Sequence, residues 1–342
     1  MRVIRLTGFG GTDVLRIDEA EMPQPGEGEV LIRVAAAGVN RADLHQRQGH
    51  YPPPPGASEI LGLEVAGEIV ACGTGTDDRW KIGDKVCALV AVGGYAEYCV
   101  AHGGCCLPIP EKMELTTAAS LPKAAFTVWA NLFDPRRMHS GDRFLMQGGT
   151  SGIGTFAIQA AKAFGAAVAA TAGSPKKCKF LLELGCERTF CYREEDWETG
   201  VLEWSGGKGV DIVLDMVGGD YFAKHIKVLA RDGRLVHIAT TAGNKVELDL
   251  RALMAKRLII TGSTLRWRSV EEKTNLRDGV EKNLWPLLQE GRLRPILDSV
   301  FSIEDVARAH ERMQSSVHIG KIVLQVAEGH NCRACCPVFI DQ

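Results

Sequence analysis

Residues 143–154, RFLMQGGTSGIG, join an apolar run, a glycine-rich turn and the first residues of an apolar helix. Such a turn lets the backbone approach a phosphate, and the N-terminus of the following helix supplies unpaired N–H donors and the positive end of its dipole. The chemistry implied is capture of a dinucleotide pyrophosphate. The wording departs from G-x-G-x-x-G: Gly149 and Gly154 take the first and third glycine places, Ser151 stands in the second, and Gly152 follows it. About twenty residues beyond the glycines, a carboxylate would hold the ribose 2′-hydroxyl of NAD. The segment found there, TAGSPKK at 171–177, has no acid. Ser174, Lys176 and Lys177 offer a hydroxyl and two cations instead, which suit a dianionic 2′-phosphate. NADPH is therefore the expected coenzyme, although two lysines at a helix start also read as an ordinary solvated face.

The elements that must position this turn are legible around it. After Thr155 the sequence FAIQAAKAFGA carries apolar or small residues at 156, 158, 160, 161 and 164, a helical spacing that stops at Gly165. Residues 166–172 read as a second buried strand, which closes a βαβ unit. Further along, strand-like runs at 143–147, 166–172, 210–215, 233–238 and 258–262 alternate with helical stretches. That alternation predicts a Rossmann-type, doubly wound parallel sheet over 121–295. The region 1–120 reads as mostly β, with runs at 30–35 and 68–71 and a proline run at 52–55. GKIVLQV at 320–326 is a strong strand expected to pair back into that region, so the first domain is predicted to be discontinuous, 1–120 with 296–326. Residues 327–342 read as a C-terminal tail.

Composition fits an α/β protein of ordinary type. At 342 residues the chain exceeds the size of a single core, so two domains are expected. With 45% hydrophobic and 24% charged residues and a net charge of -2, there is no basic excess for nucleic acid. No apolar run of about eighteen residues marks a membrane span, and MRVIRLTGFGG is too polar for a signal peptide. The 11 cysteines form no disulfide framework, and the expected compartment is the reducing cytoplasm.

The first domain carries a resemblance. GEGEVLIRVAAAGVNRADLHQRQGHYPPPPGASEILGLEVAGEIVACG at 26–73, then KIGDKVCAL and GGYAEYCV, resembles the N-terminal, GroES-like catalytic domain of the zinc-free quinone oxidoreductases in the medium-chain dehydrogenase/reductase superfamily. The pattern NRADLxQRxGxYxPPPGAS, GLExxG and AGxSGVG is that of the tumour-suppressor-inducible subgroup, met here almost residue for residue. The resemblance covers roughly 1–326 and leaves the tail outside.

Against the zinc-dependent members, the two first-domain ligand positions hold Asn40 and Leu63, neither a zinc ligand, and Glu64 alone cannot hold the ion. The cysteine lobe for a structural zinc also lacks a counterpart. His330, Cys332, Cys335 and Cys336 in the tail have ligand-like types, but the adjacent pair cannot readily share one tetrahedral site. No metal is expected. Without a Lewis acid the substrate must accept hydride easily, as a quinone, ortho-quinones included, or another conjugated carbonyl does.

Tyr51 is expected to hydrogen-bond the developing oxyanion, with Asn40 orienting it and Ser151 beside it, while Asp43 buttresses the loop. The resemblance also implies coenzyme contacts. Thr127 lies at the nicotinamide ribose and diphosphate; Gly149, Ser151, Gly152, Ile153 and Gly154 form the phosphate turn; Gly173, Ser174, Lys177 and Tyr192 meet the adenosine end. Val217, Gly218, Thr240 and Thr241 would close over the coenzyme, with Ser263, Leu265, Arg266 and Lys321 completing the cleft.

Three functions follow: an NADPH-dependent quinone reductase, an NADPH-dependent enal or enone double-bond reductase, and a low-turnover NADPH-binding protein with a structural or RNA-binding role. The apolar strand LIITGST at 258–264 is a candidate edge for a homodimer.

Overall fold

The computed structural model describes residues 1–134 and 138–326. The tail cysteines and His330 lie outside the described residues. The strands are β1 (Arg2–Leu6), β2 (Leu15–Glu19), β3 (Glu29–Val39), β4 (Glu64–Cys72), β5 (Lys85–Leu89), β6 (Tyr98–His102), β7 (Cys106–Pro108), β8 (Arg143–Met146), β9 (Ala167–Ala172), β10 (Arg188–Cys191), β11 (Val210–Asp215), β12 (Leu229–His237), β13 (Ile259–Gly262), β14 (Leu297–Ser302) and β15 (Lys321–Gln325).

Six of them form a parallel sheet in the order β10-β9-β8-β11-β12-β13. The order reverses direction at β8, and the crevice at the carboxyl ends of β8 and β11 is where this topology places a ligand. Five of the six strands match the sequence expectation. β10, only four residues long, was not expected, and β12 starts at Leu229 rather than 233. The helices between them follow from local chemistry. Helix Gly152–Ala163 is capped by the Ser151 hydroxyl, which accepts from the Gly154 N–H at 2.9 Å, and it buries Phe156, Ala157, Ile158, Ala160 and Ala161.

The second large sheet has seven strands in the order β14-β15-β3-β4-β5-β7, with β6 paired to β3. β15, the expected C-terminal strand, lies antiparallel to β3. Its neighbour Gly320 forms a bridge with Ser151, so the chain entering β15 lies directly against the glycine turn of the other sheet. No helix among the described residues is long and apolar enough to cross a membrane.

Candidate active-site cleft

The glycine turn sits at the carboxyl end of β8. Three of its glycines are forced by close packing: a Cβ on Gly149 would lie 2.8 Å from the Cβ of Ala170. A Cβ on Gly154 would lie 2.6 Å from the Gly149 carbonyl oxygen, and one on Gly152 would lie 2.2 Å from Cδ of Lys321. The departure from the usual motif thereby has a physical reason. The point that tolerates no side chain here is 152, where the stem of Lys321 crosses the helix N-terminus, and 151 is left able to carry a capping hydroxyl.

Lys321 runs over Gly152 into a buried cluster. Its ammonium is bound by the Glu64 carboxylate and by Asn40 Oδ1, the latter at 2.9 Å. Asn40 Nδ2 donates to the same Glu64 oxygen at 2.9 Å, and the second oxygen accepts from the Lys123 backbone N–H at 2.8 Å. Glu64 is completely buried and every one of its bonds is charge-assisted or to a backbone donor, the condition under which a buried ion pair is tolerated.

Asn40 also opens helix Arg41–Arg47, and its N–H donates to Asp43 Oδ2 at 2.7 Å. Asp43 further accepts from Gly62 N–H and from the Tyr95 hydroxyl, both at 3.2 Å, which makes it the expected buttress of this loop. Burial raises its carboxyl to about 6, against the lowering effect of these bonds and of Arg266.

The wall of the cleft is made by Tyr51 and Arg266. The guanidinium of Arg266 lies 4.2 Å from the centroid of the Tyr51 ring and donates to the Tyr51 and Pro52 carbonyls at 3.1 and 3.2 Å and to Gln46 Oε1 at 2.6 Å. It thus ties the segment after β13 to the proline loop. Burial raises the Tyr51 phenol above its ordinary value, with Arg266 opposing. Leu265 is buried in the apolar core beside this contact. On the opposite helix, Thr127 Oγ1 is buried with no hydrogen-bond partner among the described residues. Thr127 and Ser263 are nonetheless linked through Asn131, which donates to the Thr127 carbonyl and accepts from Ser263 Oγ, both at 2.8 Å.

At the outer rim, Ser174 caps helix Pro175–Leu184 and Lys177 lies in its first turn. The Lys177 ammonium donates to the carbonyls of Ser316 and His318 at 2.8 and 3.0 Å; Lys176 is exposed. Burial lowers the Lys177 ammonium from its ordinary value. Tyr192 is exposed, and a Cβ on Gly173 would lie 2.7 Å from its hydroxyl oxygen, so the two face each other across the rim.

The later loops are less available than expected. The N–H groups of Val217 and Gly218 are both taken by Asp215 at 2.9 Å, and the Thr241 N–H and hydroxyl both bind the Met216 carbonyl. Thr240 and Thr241 are exposed. Three residues that sequence reasoning did not single out also belong to this region: Lys123, whose N–H completes Glu64; Gln46, which receives Arg266; and Arg193, which follows Tyr192 at the rim. Only Arg193 carried a signal, a cation adjoining an already chosen position.

The arrangement can hold a dinucleotide. The turn has no room for side chains at Gly152 and Gly154, a helix N-terminus opens onto it, and Thr127 presents an unsatisfied hydroxyl. A zinc ion does not fit. Asn40 and Leu63 supply no ligand, and the Glu64 carboxylate is already neutralised by an ammonium that would repel a second cation.

Residues 26–111 match the family described as alcohol dehydrogenase GroES-like domain, and residues 152–277 match zinc-binding dehydrogenase. The quinone oxidoreductase of Rattus norvegicus is 32% identical over 327 residues, 95% of this chain and 97% of that protein; the Homo sapiens quinone oxidoreductase is 31% identical over the same lengths. Among solved structures, the Escherichia coli quinone oxidoreductase complexed with NADPH has a TM-score of 0.85 at 28% identity, covering 95% of this chain and 100% of that one. The apo JamJ enoyl reductase has a TM-score of 0.84 at 26% identity, covering 95% and 99%.

Proposed function

The chain belongs to the zinc-free quinone oxidoreductase family of the medium-chain dehydrogenase/reductases, and from that premise we propose that it reduces quinones, ortho-quinones included, by hydride transfer from NADPH. The observation that carries the reading is the Asn40–Glu64–Lys321 cluster, an organic cation and its partners at the cleft floor beneath the glycine turn. A floor of this kind suits a carbonyl that delocalises its developing charge and needs no Lewis acid.

When bound, NADPH supplies the hydride. Gly149, Ser151, Gly152, Ile153 and Gly154 form the turn for its pyrophosphate, and the Thr127 hydroxyl is poised to acquire the partner it lacks. Gly173, Ser174, Lys177 and Tyr192 receive the adenosine end, where the three ammonium protons of Lys177 allow it to add a phosphate oxygen to its present carbonyl partners. Val217, Gly218 and Thr241 contribute surface rather than amide donors, and the exposed Thr240 lies beside them. Tyr51 orients the substrate carbonyl and Ser151 stands beside it; Asn40, whose amide protons are held by Gly38 and Glu64, acts on it only through Lys321 and Glu64, and Ser263, Leu265, Arg266 and Lys321 shape the cleft around it.

Steady-state oxidation of NADPH by 9,10-phenanthrenequinone, compared with a simple enone and with NADH as donor, tests this. Faster turnover with the quinone and with NADPH is expected. The likeness to an enoyl reductase supports a second reading, reduction of a conjugated double bond, for which the enone would be the better substrate. No turnover with either would favour a binding role alone.

We also propose a homodimer formed through β13, one of the two edge strands of the parallel sheet, to be checked by light scattering. The cytoplasm is the proposed compartment, in keeping with the eight described cysteines, all free thiols.

A further inference from the structure

We propose that Lys123 delivers the proton that completes reduction of the substrate, an inference that rests on the hydride-transfer reading above. Lys123 lies in the first turn of helix Pro122–Val128, four positions before Thr127, so the two side chains share one face of the helix. Thr127, whose buried hydroxyl is unpartnered, is the residue of that face proposed above to meet the coenzyme. The Lys123 N–H is anchored on Glu64, which fixes the base of the side chain beside the floor cluster.

The charged groups whose fields reach its ammonium come from four segments: Asp43 on helix Arg41–Arg47, Glu64 on β4, Arg266 after β13 and Lys321 on β15. Three cations therefore share the cleft, and two are committed. Lys321 is bound to Glu64 and Asn40, and Arg266 to Tyr51, Pro52 and Gln46. The Lys123 ammonium makes no hydrogen bond among the described residues, so its protons are available to a ligand.

Arg266 cannot serve as donor, because a guanidinium does not give up its proton in a protein. Burial foremost, together with Arg266 and Lys321, lowers the Lys123 ammonium to about 8, while Glu64 and Asp43 act in the opposite direction. At neutral pH the group is therefore protonated and a competent acid. Tyr51, whose phenol is held above its ordinary value, is better suited to holding the oxygen than to giving up its proton.

In the step itself, a quinone accepts the hydride, with its two electrons, and one oxygen becomes anionic. A Lys123 Nζ–H bond breaks, an O–H bond forms on that oxygen, and the nitrogen keeps the electron pair as a neutral amine. Solvent returns a proton to the amine before the next cycle. Quinone, hydride and proton together make the hydroquinone.

The test uses the full chain and the variants Lys123→Met and Lys123→Arg. Wild-type kcat with 9,10-phenanthrenequinone is expected to fall as pH rises through about 8, the limb set by Lys123. Lys123→Met should lose on the order of 100-fold in kcat and lose that limb, with NADPH affinity essentially kept. Lys123→Arg should fail to rescue, since it restores charge without a transferable proton. NMR of protein labelled at the lysine ε-carbon should show, independently of activity, one resonance titrating near 8 that Lys123→Arg removes.

Unaltered kcat in Lys123→Met, full activity in Lys123→Arg, or the absence of a low-titrating lysine would each overturn the proposal while leaving the quinone reductase reading intact. A wild type inactive with both quinone and enone would overturn the parent reading and this inference together.

Discussion

The floor and the rim of the cleft are built on opposite principles. At the floor, Lys321 reaches Glu64 and Asn40 across separations of 257 and 281 residues, and all three side chains are buried. At the rim, Ser174 caps the N–H of Lys177 three residues away, Tyr192 is exposed, and the Lys177 ammonium rests on two backbone carbonyls. The floor group is a closed set of partners, whose integrity the fold depends on. The rim group is a set of groups with replaceable partners, whose loss the fold tolerates and a ligand does not. A residue at the floor should therefore reveal itself in stability, and one at the rim in coenzyme affinity.

The largest effect expected is at the floor. Glu64→Ala leaves the Lys321 ammonium without its counter-charge and the Lys123 N–H without an acceptor, and breaking one partner out of a buried pair destabilises by about 3–5 kcal/mol. Urea denaturation should show this as a large fall in midpoint. A loss below about 1 kcal/mol, the scale of an exposed pair, would erase the distinction between floor and rim.

At the rim the converse holds. Lys177→Met should raise the Kd for NADPH about tenfold, by removing one charge-assisted bond to the 2′-phosphate, and leave NADH binding unchanged. The denaturation midpoint should barely move. Equal weakening of both coenzymes by calorimetry would remove Lys177 from the phosphate site and return it to its present role as a tie to Ser316 and His318.

The same contrast explains what could be read from the sequence. The glycine turn was legible because its determinants are neighbours: Ser151 caps Gly154, and Gly149 and Gly154 touch within the turn. β13 and β15 were legible as apolar runs of ordinary strand length. β10 was not, since four residues bounded by a glycine-ended helix and a turn carry no usable period. At the floor, residue types sufficed to discard zinc, because Asn40 and Leu63 are not ligands. What replaces the metal is a lysine from the far end of the chain, and no local pattern joins Lys321 to Glu64. Lys123 was hidden for the same reason, as a lone cation in an alanine-rich helix whose N–H meets a carboxylate on β4, far away in sequence.

A pH test sharpens the floor further. Asp43 is fully buried and its carboxyl is raised from 3.8 to about 6, so the protonated form is favoured by folding. Its contribution to stability is fully present below about pH 4 and is lost as pH rises through about 6. Relative to Asp43→Asn, which does not ionise, the wild type should lose about 1 kcal/mol of stability between pH 5 and pH 7. A pH-independent difference between the two proteins would mean that the bonds from Asn40, Gly62 and Tyr95 outweigh the burial of the charge.

Ser151 lies between the two regimes and should show the smallest effect of the set. Its hydroxyl oxygen accepts from the Gly154 N–H, a helix cap, and its backbone bridges to Gly320, which leads into the floor lysine. Removing the cap in Ser151→Ala should destabilise by about 0.5–1 kcal/mol. The hydroxyl proton is not engaged by that cap and is left to donate to coenzyme or substrate, so the alanine variant should also weaken NADPH binding or turnover. Ser151→Thr separates the two roles from a mere change of backbone, because the position is extended, with φ -68° and ψ 163°, and accepts a β-branched residue. Threonine should restore both the denaturation midpoint and the activity. If Ser151→Ala loses stability but keeps both NADPH affinity and quinone reduction, the hydroxyl serves the helix alone, and the boundary between structural floor and ligand-facing rim passes on the coenzyme side of Ser151.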